Sequence, residues 1–120
     1  VKKLFPYLVV LLSLPCFVKA NTDTLFISSK GQLVDARSAE YFQVNQEGKQ
    51  KKYSVNQYWM DGVIKFEAQT NNQENWGMDG ICIYYWHTGK KKKEGAFVDG
   101  RKKGLWKYYD SLGRLTRESL

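Results

Sequence analysis

The chain has 120 residues, 42% of them hydrophobic and 15% aromatic, and 19 Lys and Arg against 12 Asp and Glu give a formal charge of +7. That length excludes more than one domain with a modest core. Two cysteines and a single histidine exclude a disulfide framework and a structural zinc site.

In chain order, residues 1–20 read as a secretory signal. Lys2 and Lys3 precede an apolar run over 8–14, and Val18-Lys19-Ala20 offers a cleavage site. A membrane anchor is the alternative, but Pro15 breaks the run well short of the roughly 20 residues that span a bilayer. Lipidation at Cys16 is disfavoured by Pro15, which stands where a small residue belongs. Removal of the signal takes away Lys2, Lys3 and Lys19, leaves a charge of +4 on residues 21–120, and retains Cys82 as the one cysteine.

Residues 21–52 show weak periodicity and read as a degenerate lead-in. Strands are expected at 25–27 and 39–44, with a polar hairpin loop over 43–52 that contains Gly48. Residues 53–59 and 63–68 are the arms of a hairpin turning at Met60-Asp61-Gly62, because Asp-Gly tolerates the positive φ of a tight turn. The amide-rich stretch 69–75 is an inserted joint. Further turns are expected at His87-Thr88-Gly89, Asp99-Gly100 and Ser111-Leu112-Gly113, and no helix is expected.

These segments repeat. At an offset of 24 residues, Gly80 falls on Gly104, Cys82 on Trp106, Tyr85 on Tyr109, Gly89 on Gly113 and Glu94 on Glu118; an earlier copy holds Tyr58, Gly62 and Glu67, with Tyr53 in place of the leading glycine. The units are 53–79, 80–103 and 104–120. A fixed period of this size means stacked supersecondary units. Alternation along strands places Val55, Cys82 and Trp106 in one column with Gln57, Tyr84 and Tyr108 beside it, and Tyr58, Tyr85 and Tyr109 on the other face. Rings on both faces predict an all-β fold, an extended antiparallel meander of successive β-hairpins in a single-layer sheet.

The motif Tyr-x-x-x-Gly followed by a charged strand ending in Glu, with Asp99-Gly100-Arg101-Lys102-Lys103-Gly104-Leu105-Trp106-Lys107-Tyr108-Tyr109, resembles the membrane occupation and recognition nexus (MORN) repeat. The variant it resembles occurs in exported bacterial proteins labelled as antitoxin components of toxin–antitoxin systems. The likeness covers 80–118 well and 53–67 less closely, departing at Tyr53 and at the insertion near Asn71. It implies a sheet of hairpins with a binding or scaffolding role and no catalytic site.

The residues suggest no catalyst either. His87 sits in a turn without a partnered nucleophile, and Cys82 takes an apolar strand position. Glu67, Glu94 and Glu118 recur at the end of each unit, which argues for structural pairing with a neighbouring Lys or Arg. Gly89 and the lysines after it lack the flanking residues of a phosphate loop. No cofactor is called for. Lys90, Lys91, Lys92, Lys93, Arg101, Lys102 and Lys103 are expected to gather on one hairpin as a basic patch, either a solvated surface that guards the sheet edge or the site for an acidic partner. The expected function is non-enzymatic binding of a protein partner, antitoxin- or immunity-like, in the periplasm or outside the cell. The alternative is attachment to an anionic envelope surface; export disfavours nucleic acid.

Overall fold

A computed structural model describes residues 22–71 and 78–120. The expected signal over 1–20, with Cys16, and the part of the inserted joint from 72 to 75 lie outside the described residues. The strands are β1 (Thr22–Ile27), β2 (Tyr41–Glu47), β3 (Tyr53–Trp59), β4 (Ile64–Thr70), β5 (Gly80–Tyr85), β6 (Lys91–Val98), β7 (Arg101–Tyr109) and β8 (Leu115–Ser119). They form one antiparallel sheet in which spatial order equals chain order. The fold is all-β, and short 3₁₀ turns at Ala36–Ser38 and Lys49–Lys51 are its only helical pieces among the described residues.

Three hairpins share one turn. Gly62 N–H donates to the Trp59 carbonyl while Trp59 N–H donates to Val63; Trp86, Gly89 and Lys90 repeat the pattern, as do Asp110, Gly113 and Arg114. This is a three-residue loop with glycine in the left-handed region, and φ is 92° at Gly62, 93° at Gly89 and 90° at Gly113. Each hairpin then carries one extra residue in its returning strand, since the register slips by one after Tyr58, Tyr85 and Tyr109. The extra residue is Lys65, Lys92 or Thr116, a bulge that recurs with the repeat. A Cβ added at Gly89 meets no atom within 4 Å, so the cost expected there is that of the positive φ. Gly89→Val and Gly113→Val should each lower stability by about 1 kcal/mol or more. Urea midpoints measure it, and unchanged values would contradict the turn assignment.

The lead-in is more regular than its sequence. The same pair of backbone bonds closes Ser28 to Gln32, with Gly31 at φ 79°. Residues 33–40 then make an excursion held by Val34 N–H to Phe26 and Glu40 N–H to Ile27, with Asp35 capping the 3₁₀ turn. The loop expected over 43–52 is a loop only from Gly48, because β2 runs on to Glu47. Its polar residues suit a strand here: Gln57 Nε2 donates to Gln43 Oε1 and Gln43 Nε2 to Asn45 Oδ1, both at 2.9 Å. Likewise β4 extends through Gln69 and Thr70, which shortens the inserted joint.

The core lies on one face. Cross-strand partners align Asn45, Val55, Ala68, Cys82 and Gly95 in a row. The buried cluster is Val55, Phe66, Ala68, Cys82 and Trp106, flanked by Met78, Tyr84, Phe97 and Tyr108. Sequence alternation anticipated the column but not its dryness, for Cys82 is 1% and Trp106 2% exposed in a single-layer sheet. The reason is Gly95. Opposite it β7 bulges through Gly104 (φ 72°), Leu105 and Trp106. The Trp106 ring lies flat where a side chain at 95 would stand, and its Nε1 donates to the Ala96 carbonyl at 3.2 Å.

Candidate functional site

The seven cations expected in one patch do not meet. Lys93 pairs with Tyr108, whereas Lys102 pairs with Phe97 and Arg101 with Val98. The lysines of residues 90–93 thus begin β6 at one end of the hairpin, and Arg101 to Lys103 begin β7 at the other. Antiparallel pairing separates two runs that both start their strands, and alternation divides each run between faces. Lys91 pairs with Tyr85 on the face away from the core and binds Glu94 at 3.1 Å, and Lys103, opposite Ala96, shares that face. Lys90 sits in the turn that it closes with Trp86.

A smaller set does converge, on the core face. Lys93 Nζ stands 4.4 Å from the Tyr84 ring centroid, and the Arg117 guanidinium stands 3.9 Å from that of Tyr108, one period later. Lys102 reaches along β7, placing Nζ 4.6 Å from the Trp106 ring and donating to the Tyr108 hydroxyl at 3.2 Å. That bond holds the Tyr108 phenol below its ordinary pKa. Lys93 lies across the ladder from Tyr108 and Arg117 over its ring, so the extended Lys102, bound to the Tyr108 hydroxyl, closes the distance that the backbone leaves. Among the described residues no carboxylate forms an ion pair with Lys93, Lys102 or Arg117. Each sits instead against the negative face of a ring, an arrangement worth about 0.5–1 kcal/mol at exposed sites.

The recurring bulge supplies a second cationic strip nearer the turns. Lys65 Nζ lies 4.4 Å from the Tyr41 ring and 5.1 Å from Trp59, and Lys92 Nζ lies 4.6 Å from Trp86. Burial lowers the Lys65 pKa against the opposing pull of Glu40, and Lys92 adds to the lowering. Lys92 belongs to the run expected as a basic patch, whereas nothing beside Lys65 in sequence marks it. The available signal was its fixed place three residues after the turn glycine.

The recurring glutamates and tyrosines form clasps between units on the opposite face. Tyr85 Oη donates to Glu67 at 2.6 Å, and Tyr109 Oη donates to Glu94 at 2.5 Å. Structural pairing was the expectation, but the partner of Glu67 is a phenol, and Glu94 adds a phenol to its lysine. A strand two residues longer in phase brings Tyr diagonally over Glu, within reach of a long side chain. Burial and Glu67 push the Tyr85 pKa up to about 12, and Glu94 pushes Tyr109 to about 12. The Tyr109 bond in turn lowers Glu94, with Lys91 contributing. Tyr58 stacks on Phe42 at 5.2 Å.

His87 Nε2 meets Asp61 Oδ2 at 2.7 Å, tying one turn to the next. The Cys82 thiol is buried and pushed up to about 11 by desolvation, against the pull of Lys93 and Lys102, so the neutral form that packs well is the form present. No group of three or more His, Cys, Asp or Glu among the described residues is placed to hold a metal ion. One depression is shallow and open, lined by Ile81, Ala96, Lys103 and Leu105 on the face away from the core. The arrangement offers charge and rings over a broad face rather than an enclosed reaction site. Comparison of the chain with protein families, with curated proteins and with solved structures finds no match.

Proposed function

We propose that this chain is an exported, non-enzymatic binding module of the MORN-like kind, whose core-face cations capture an acidic segment of a protein partner. The observation that carries the reading is the set Lys93, Lys102 and Arg117, seated on the rings of Tyr84, Trp106 and Tyr108 with no carboxylate of its own. Rings that hold the cationic heads in place reduce the ordering cost of binding. The three side chains come from β6, β7 and β8. At about 4.8 Å between strands they span about 10 Å, which an extended peptide crosses in about three residues. A carboxylate-bearing segment lying across the strands therefore meets all three.

The test uses a fluorescent hexaglutamate peptide and its hexaglutamine counterpart. The folded domain should bind the first, weakening steeply between 50 and 200 mM salt (chosen to shorten screening to about 7 Å), and should not bind the second. Lys93→Gln with Lys102→Gln and Arg117→Gln should weaken binding by about tenfold or more, with an unchanged β-sheet circular dichroism spectrum. Lys103→Gln, on the other face, should not. Equal binding by the triple variant, or retention on phosphatidylglycerol vesicles with no peptide binding, would overturn the reading; the latter outcome would assign the cations to an anionic surface.

A further inference from the structure

The clasps point to a second interaction surface, separate from the cationic face. Two consecutive residues of each returning strand prepare the junction with the next unit: Phe66-Glu67 in β4 and Lys93-Glu94 in β6. Each receives two consecutive tyrosines. Tyr84 lies opposite Phe66 while Tyr85 reaches Glu67; Tyr108 lies opposite Lys93 while Tyr109 reaches Glu94. In β8 the corresponding residues are Arg117-Glu118. Arg117 repeats Lys93 down to its ring, being held over Tyr108 as Lys93 is over Tyr84.

Among the described residues β8 pairs only with β7. Its outer rim presents the surface that β6 presents to β7, and among the described residues no side chain donates a hydrogen bond to the Glu118 carboxylate, whose charge bears on Tyr109 without taking its proton donor from Glu94. We infer that the edge of β8 docks an extended strand of a protein partner bearing an aromatic residue followed by tyrosine. The backbone pairs with Leu115 to Ser119, the aromatic ring lies across from Arg117, and the tyrosine hydroxyl donates to Glu118. This is strand addition, in which ladder bonds give affinity and side-chain positions give selectivity. The occupant is argued from continuity with the two junctions inside the chain. A second copy is a poor occupant through its β1, since Thr22 to Ile27 contain no tyrosine to reach Glu118.

The experiment adds to the folded domain a labelled peptide with the sequence of residues 104–110, Gly-Leu-Trp-Lys-Tyr-Tyr-Asp, and reads anisotropy and amide exchange. Binding should slow exchange at residues 115–119. Replacing the peptide's second tyrosine by phenylalanine should weaken binding about tenfold, the scale of a hydrogen bond to a charged group. Glu118→Gln should lose about as much, and the combination no more than either alone. Glu118 is exposed, so the variant leaves the fold intact, and exchange of the peptide into the native β7 position would depend on Glu94 instead. Absence of binding, indifference to the tyrosine hydroxyl, losses that simply add, or protection of β8 through concentration-dependent self-pairing would each overturn the inference.

Discussion

Trp106→Ala is expected to lower the unfolding free energy by about 3–5 kcal/mol, the range for removing a buried large aromatic side chain. Trp106 is the largest side chain in a cluster whose other members are Val55, Phe66, Ala68 and Cys82. Among the described residues one sheet makes up the fold, so no second layer is there to collapse into the space it leaves. The ring also meets Phe97 edge-on at 5.2 Å and carries the Lys102 ammonium, so its loss loosens both the core and the cationic face. Equilibrium denaturation measures the effect. A loss below about 1 kcal/mol, typical of a surface substitution rather than a core deletion, would mean that this column is not the core.

Filling the space from the other side should also be costly. A Cβ on Gly95 would lie 2.3 Å from Trp106 Cδ2 and Cε2, far inside van der Waals contact, and the ring cannot shift without giving up its bond to the Ala96 carbonyl. Gly95→Val should therefore destabilise by about 3 kcal/mol, the upper part of the usual overpacking range. The two sites are coupled through one volume. In a Trp106→Leu background most of the added cost of Gly95→Val should disappear. Strictly additive losses in a double-mutant cycle would show that the glycine is required for backbone reasons alone.

The repeat was readable because its turns impose a chemical demand. Only glycine accepts the left-handed conformation cheaply, so Gly62, Gly89 and Gly113 mark the phase with tyrosine four residues before and glutamate five after. A turn over Ser28 to Gly31 is legible as such, but not its kinship with the repeat, because Gly31 has Ile27 and Ala36 at those positions and is followed by the excursion to Glu40. The continuation of β2 is hidden by Gln43, Asn45 and Gln46, which break any apolar alternation, while the amides of Gln43 and Asn45 join Gln57 in a ladder. Both members of each clasp were visible as recurring residues. What joins them is a cross-strand diagonal, Tyr85 lying two residues beyond the Ile83 that faces Glu67 and Tyr109 two beyond the Lys107 that faces Glu94, and that register is set by pairing between units, not by spacing within one.

The converging cations are hidden in the sequence for a related reason. Nearness in sequence is not nearness in space, because two basic runs that each begin a strand of one antiparallel hairpin start at its opposite ends. Arg117 belongs to the site although it lies outside both runs, and its position one period after Lys93 was the legible clue. Lys102 joins them only because its side chain reaches toward the Tyr108 hydroxyl.

Strand order that follows chain order also fixes how the domain bears load. Thr22 begins β1 at one edge of the sheet and Ser119 ends β8 at the other. Tension between them runs across the strands, along the direction of their hydrogen bonds. Each ladder then opens rung by rung from an edge, instead of resisting as a whole as it does when strands are sheared lengthwise. Pulled from its ends, this sheet unzips hairpin by hairpin, and the phenol–carboxylate clasps are the catches at which the peeling pauses.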